Sequence, residues 1–499
     1  MKRIQLILFF VCLTFSPLIA QFQIGQDING KAAGDNSGQS VFLSSNGKRV
    51  AIGAAHHSSV NGYKTGHARV FEENNGIWTQ VGQSIDGVAP NDNMLCVVLS
   101  SDGKRIAVGA ANNDGNGMSS GHVRIFEDIN GDWYQLGQDI KGEAAMDFSG
   151  ESISLSSDGT RVAIGATGND ENGSSSGHVR IFHEVNGTWL QLGLDIDGEA
   201  AGDRSGHSVS LSSDGTRVAI GAHYNAGNGI KSGHVRIFQE SNGSWIQLGQ
   251  DIDGEAQSDH SGKSVSLSAD GTIVAIGAWA NGGGGFSSGH VRVFQESNGN
   301  WVQIGQDIDG EASHDQFGTS VSLSSDGQTV AIGAPKNNSI GTEAGRVQIY
   351  SNISGVWTQI LTDIDGEAVE DFCGYSVSLS SDGSRVAIGA PQNDGVPFNS
   401  GHSRIYGLSP MSNNNDIPTV APLKVFPNPT NELVTIEFDQ PQDEISVHVT
   451  DPTGKVIDVL FRENKSNVQV ELDGAAGIYL LEIKTSEGIL TTKRVVLDR

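Results

Sequence analysis

The sequence predicts an all-β protein: a seven-bladed β-propeller of four-stranded blades over residues 21–407, followed by a small C-terminal β-sandwich. Three observations predict it. A turn of the type Asp-Ile-Asp-Gly recurs with its glycine at Gly30, Gly87, Gly142, Gly198, Gly254, Gly310 and Gly366, at intervals of 55 to 57 residues. Each interval holds four short alternating stretches between Asp-Gly and Asn-Gly turns, which is the pattern of hairpin-linked strands. The seventh interval lacks its fourth stretch, and a matching segment stands near the head of the chain.

Unit five shows the elements in order. Strand A is Ser264 to Ser268, and Asp270-Gly271 turns it into strand B, Ile273 to Ala278. A Gly-rich loop leads to strand C, Gly289 to Phe294; Asn298-Gly299 then turns into strand D, Trp301 to Gly305. In A and B large residues alternate with Ser, Ala and Gly rather than with charged residues. Both faces are therefore expected to be buried, large against small, as blades packed near a narrow axis require. The seventh unit stops after Arg404-Ile405-Tyr406, and Gln21-Phe22-Gln23-Ile24-Gly25-Gln26 aligns with Trp301-Val302-Gln303-Ile304-Gly305-Gln306. The N-terminal strand is expected to close the last blade and remove its open edge.

Composition agrees. The 499 residues are 37% hydrophobic and 18% charged with 66 Gly, which favours turns and short strands over long helices. Net charge is -27, so nucleic acid and anionic membrane surfaces are poor partners. Residues 1–20, with Lys2 and Arg3 before an apolar run from Leu6 to Phe15, have the layout of a secretory signal cut between Ala20 and Gln21. No later segment is long and apolar enough to cross a bilayer as a helix. Cys12 would leave with the signal, and Cys96 and Cys373, in non-adjacent units, are expected to be buried free thiols.

Units six and seven carry Phe317-Gly318-Thr319-Ser320-Val321 through Ala334-Pro335 and Gly374 through Pro391. They resemble the FG-GAP repeats of integrin-alpha-type propellers, a resemblance that covers about residues 21 to 407. That family often has a calcium loop between A and B. Here the connection is mostly Ser-Asp-Gly, a hairpin too tight to wrap the six to eight or so oxygen ligands of calcium, so those sites are not carried over.

The D-to-A crossover supplies another candidate for a hard cation such as calcium. Asp195, Asp197, Glu199 and Asp203, or Asp251, Asp253, Glu255 and Asp259, place four carboxylates within nine residues. The preferred alternative has the last Asp of each unit capping a turn. His67, His122, His178, His234, His290 and His402 open strand C, with an Arg two residues on; hydrogen bonding between blades and ion pairing to crossover carboxylates are expected of them. Trp78, Trp133, Trp189, Trp245, Trp301 and Trp357 are expected to pack blades together at the outer rim.

Units differ most in the B-to-C loops, which should share a face with the crossovers. His56, His57, Tyr63, Tyr224, Trp279, Phe286 and Phe398 are the loop residues expected to meet a ligand, since exposed rings stack on sugars or anchor proteins.

Residues 408–422 read as a linker, and residues 423–499 change character. Short alternating strands there carry Pro427-Asn428-Pro429, Asp451 with Gly454-Lys455, and Gly477-Ile478-Tyr479. This tail closely resembles the type A C-terminal sorting domain of type IX secretion. The resemblance implies a partner in the type IX machinery and delivery to the outer cell surface or beyond. The whole reads as an exported binding or adhesion module for an extracellular polysaccharide or protein, not an enzyme. A polysaccharide-degrading enzyme using the acidic face and a structural surface-layer protein are the alternatives.

Overall fold

The computed structural model describes residues 19–394 and 398–410, and in the tail 424–426, 433–442, 445–450, 456–461, 465–472, 477–485 and 490–497. The first region is a closed ring of seven blades. In unit four, strand A is Ser208–Leu211, B is Arg217–Ala222, C is His234–Ser241 and D is Ser244–Gln247, paired antiparallel in that order. One element differs from expectation. Ile252–Asp253, read as part of a crossover turn, forms a short fifth strand on His234 and Val235. Strand C has eight residues and D four, so this dipeptide covers the half of C that D leaves open, with Ile252 buried.

Closure follows the sequence. Ile19–Gln23 pairs with strand C of blade seven, His402–Pro410, and Ile28–Asn29 covers the start of that strand. Strand C thus runs three residues into the expected linker, because Leu408 buries against the last seam beside Cys373. Residues 1–18, where most of the expected signal lies, are outside the described residues.

The innermost A strands are tied by a ring of seven backbone hydrogen bonds. Ser45 donates to Ser101, Ser101 to Ser157, Ser157 to Ser213, Ser213 to Ala269, Ala269 to Ser325, Ser325 to Ser381, and Ser381 back to Ser45, each at 2.8–2.9 Å. The axial cavity beside this ring, lined by Ser and Leu of all seven blades, holds about 170 Å³. That is below the ~300 Å³ at which ligand pockets begin, so the axis itself is packing space.

The small side chains of A and B allow the seams to close. Leu211 N–H donates to Ser154 Oγ of the preceding blade at 2.9 Å, and Leu267 N–H to Ser210 Oγ at 3.0 Å. Each strand-D Trp lies at a seam, as expected; the Trp189 indole N–H donates to Leu136 O at 2.9 Å, one blade back. On Gly221 of strand B, a Cβ would stand 2.2 Å from Gly262 O and 2.3 Å from Ser208 Oγ. Gly221→Ala is therefore expected to lower stability by about 3 kcal/mol, since the Gly262 carbonyl is backbone and the Ser208 hydroxyl could move only by giving up its bond to that carbonyl. Gly243, at φ +80° with nothing within 4 Å, is a control whose Ala variant should cost only ~1 kcal/mol. Urea unfolding of the two variants checks the order, and equal losses would refute it.

Cys96 and Cys373 are free thiols. Cys373 is fully buried, which pushes its thiol up to about 11, whereas Cys96 is only half-buried at the start of its strand rather than buried as expected.

The tail is a separate compact unit. Lys424–Phe426, Leu433–Gln442 and Lys465–Glu471 form one sheet; Val456–Phe461, Ile445–Thr450, Gly477–Thr485 and Leu490–Leu497 form another. Val434, Ile436, Val468 and Val470 of the first share a buried cluster with Ile445, Val447, Val449 and Leu481 of the second. Of the sorting motif, Gly477 and Tyr479 open the longest hairpin, opposite Leu497 and Val495. Pro427, Asn428, Pro429, Asp451, Gly454 and Lys455 lie outside the described residues.

Candidate functional site

The B-to-C loops and D-to-A crossovers share one face, as expected. Asn172 and Asn228 in the loops donate to the crossover carbonyls of Gly198 and Gly254 at 2.8 and 2.9 Å. The last Asp of every unit caps its own turn: Asp35, Asp92, Asp147, Asp203, Asp259, Asp315 and Asp371 each accept the N–H three residues back at 2.8–3.1 Å. All are buried.

The four carboxylates of any one of these two crossovers are divided between seams. Asp203 is committed to its cap and to Asn225 at 3.0 Å. Asp195 lies 3.5 Å from His178, whereas Glu199 lies 3.7 Å from His234 in the next unit. In the same way Asp251 is 3.9 Å from His234 and Glu255 is 3.8 Å from His290, while Asp259 caps. Asp197 and Asp253 give their carbonyls to Arg236 and Arg292 at 2.6 Å. Burial and then neighbouring carboxylates, Glu171 for Asp197 and Asp251 for Asp253, raise the pKa of both side chains. The four carboxylates of a single crossover thus form no joint site. The strand-C arginines do bridge blades as expected, and burial pushes His234, His290, His122 and His402 down to about 4, so they are neutral.

Against this repeated frame, one register position differs in nearly every unit. The residue after the Gly that leads into strand A is Gln39, Glu151, His207, Lys263, Thr319 or Tyr375 in units one and three to seven. Three of these meet across successive blades. His207 Nε2 is 3.0 Å from Lys263 Nζ, and His207 Nδ1 is 3.5 Å from Glu151 Oε1. An ammonium can only donate, so Nε2 accepts and Nδ1 carries the proton toward Glu151. Thr167 Oγ1 donates to the other oxygen of Glu151. Burial opposes charge on Glu151, but His207, Thr167 and Lys263 outweigh it and its pKa falls; burial lowers Lys263 and His207.

An aromatic arc continues outward from His207. Its ring lies 4.0 Å from His223, His223 lies 4.2 Å from Tyr224, Tyr224 lies 5.1 Å from His260, and His260 stacks on Trp279 at 5.4 Å. Lys231 Nζ and the Arg204 guanidinium flank the Tyr224 ring at 4.6 and 5.0 Å. Tyr224, His260 and Trp279 are half-buried, so they show one side to solvent.

Of the expected ligand-facing residues, Tyr224 and Trp279 meet in this arc. His57 is taken up by Asp35, 3.1 Å away, and stands where six other units place a structural Asn such as Asn225. His56 and Tyr63 line a separate pocket that unit one shares with Asn399 of the seventh loop. Phe286 is 73% exposed and touches His314, while Phe398 is 67% exposed on the seventh loop. Glu151, His207, His223, His260 and Lys263 were not expected. For Glu151, His207 and Lys263 the signal was the variable residue after an otherwise repeated Gly; His223 opens the variable B-to-C loop and His260 follows the capping Asp259.

Comparison with known proteins bears on both parts. The family described as a secretion system C-terminal sorting domain matches residues 424–498, and the FG-GAP repeat matches residues 196–238 and 308–350. The ring thus contains FG-GAP repeats, and the tail is a sorting domain. The tail engages type IX secretion machinery, and the protein is exported to the cell surface or extracellular space. No helix among the described residues is long and apolar enough to cross a membrane. Similar solved structures include Kuenenia stuttgartiensis hydrazine synthase, 13% identical over 73% of this chain and 94% of that one, TM-score 0.48. Another is the periplasmic gluconolactonase PpgL of Pseudomonas aeruginosa, 16% identical over 66% and 85%, TM-score 0.46. Chaetomium thermophilum Raptor is 10% identical over 81% and 29%, TM-score 0.49. No curated protein matches the chain.

Proposed function

We propose that the exported ring is a binding module for an extracellular polysaccharide, recognised by the arc from Glu151 to Trp279. The observation that carries this reading is the break in repetition. Near-identical units place unlike charged groups at one register, with a run of neighbouring rings beside them on the same face, over blades three to five. The half-exposed faces of Tyr224 and Trp279 suit the apolar face of a sugar, and Lys263, Arg204 and Lys231 offer donors to its hydroxyl or carboxylate oxygens.

Equilibrium binding of the full chain to a polysaccharide panel tests it. Trp279→Ala and Tyr224→Ala are each expected to weaken binding at least about tenfold, a loss of ~1.4 kcal/mol, without changing the unfolding midpoint. Phe398→Ala, outside the arc, should bind as the parent does. Absence of saturable binding to every polysaccharide, with binding to a matrix protein instead, would transfer the arc to protein adhesion.

A second reading, cleavage of the bound polysaccharide, is favoured by the unlike titrating groups Glu151, His207 and Lys263. It requires product to appear with time and to vanish in Glu151→Gln while binding persists. We infer binding without turnover, so a constant polysaccharide length distribution is the expected result.

A further inference from the structure

We propose that Glu143, Glu171, His178 and Asp195 bind one first-row divalent cation of the zinc class, at a site in blade three separate from the arc. Glu143 comes from the crossover into the blade, Glu171 from its B-to-C loop, His178 from the start of strand C and Asp195 from the segment after strand D. Their four ligand atoms all lie within 4.8 Å of one another.

Two observations beyond the carboxylates point to a ligand. His178 is 0% exposed, and neither ring nitrogen makes a hydrogen bond. Its Nδ1 is directed into the cluster, 3.5 Å from Asp195 Oδ2 and 3.9 Å from Glu143 Oε2. A buried imidazole with both nitrogens unpaired is costly unless something occupies it. The second observation is charge. Arg180, 3.3 Å from Glu143, sets one positive charge against three carboxylates, an excess that a divalent ion would cancel.

The site is singular although its frame repeats. The related groups Glu199-His234-Asp251, Glu255-His290-Asp307 and Asp27-Glu367-His402 offer three ligands each. The position of Glu171 is Gly115, Gly227 and Gly283 in units two, four and five. One imidazole with three carboxylates suits zinc or manganese better than calcium, which takes oxygen ligands in larger number. Glu143 and Glu171 are exposed, so their side chains can move inward to the ~2.0–2.2 Å bonds such an ion makes.

The test is equilibrium dialysis of chelator-stripped full chain against Zn²⁺, with metal counted by elemental analysis. One Zn²⁺ per chain is expected, undisturbed by equal Ca²⁺. Glu171→Gly restores the residue that three other units carry and keeps the loop fold, so it should weaken uptake at least about tenfold with the unfolding midpoint of the metal-free chain unchanged. His178→Asn should do the same; if it does not fold, Glu171→Gly alone decides. A Co²⁺-loaded chain should show a visible absorption band that Glu171→Gly abolishes. No saturable uptake, uptake that Glu171→Gly leaves intact, or displacement by equal Ca²⁺ would each overturn the proposal. Polysaccharide binding by Glu171→Gly should equal that of the parent, which separates this site from the arc.

Discussion

Removing residues 19–29 is expected to abolish cooperative unfolding of the ring. The deletion strips the edge strand from His402–Pro410 and the two-residue cover from its start. It also removes Ile24 and Ile28 from the cluster with Val41, Leu43, Val50 and Phe71, and takes away the carbonyl of Ile24 that accepts the Trp78 indole N–H at 2.7 Å. Two buried isoleucines contribute about 1.5–3 kcal/mol each. The loss of the strand ladder adds to this, so the total approaches the ~5–15 kcal/mol that holds a typical domain together. A bare nine-residue strand edge also invites association between copies. Calorimetry and size-exclusion chromatography of the truncated chain check the outcome. A peptide of residues 19–29 added in trans should restore part of the transition, and a truncated chain that melts like the parent would contradict the role of this strand.

Acid is expected to weaken the ring by several kcal/mol between about pH 7 and pH 5. His122, His234, His290 and His402 are buried and held neutral, with burial taking each from 6.5 down to about 4. Between those two values the unfolded chain binds the extra protons. The stability each histidine supplies is therefore complete above about pH 6.5 and is lost as pH falls toward 4, at ~1.4 kcal/mol per unit. Glu199 and Glu255, whose pKa values burial raises, act in the opposite sense and offset part of the loss. Urea midpoints at about pH 7, 6 and 5 measure the slope. His234→Asn should reduce it, and a flat series would show that these histidines do not govern acid stability.

Much of the fold was legible because two periods coincide. Alternation marked the strands, as in Val265 and Leu267 against Ser264 and Ser266, and the repeat of the Asp-Ile-Asp-Gly turn marked the blades. The displaced Gln21–Gln26 stretch marked closure for the same reason, since it is a copy of strand D in the wrong place. Ile252–Asp253 gave no such sign, because two residues are too few to show a period. The site was less legible. Tyr224, Trp279, Tyr63, Phe286 and Phe398 look alike as loop aromatics, and only the first two converge. Lys263 and His207 stand 56 residues apart at equivalent positions, so along the chain they resemble neutral drift within a repeat. Only the ring places equivalent positions side by side and turns variation between copies into a juxtaposition of unlike groups.

The shared seventh blade also sets an order of events. Its outer strand comes from Ile19–Gln23 and its inner three from Ser376–Pro410, so the first and last parts of the ring to be translated are the ones that must meet. The sorting domain, residues 424–498, follows that last strand in the chain. A ribosome therefore makes every strand of the propeller before it makes the sorting domain. A product cut short within the ring lacks the sorting domain, and the position of the tail restricts type IX export to chains whose ring sequence has been translated to its end.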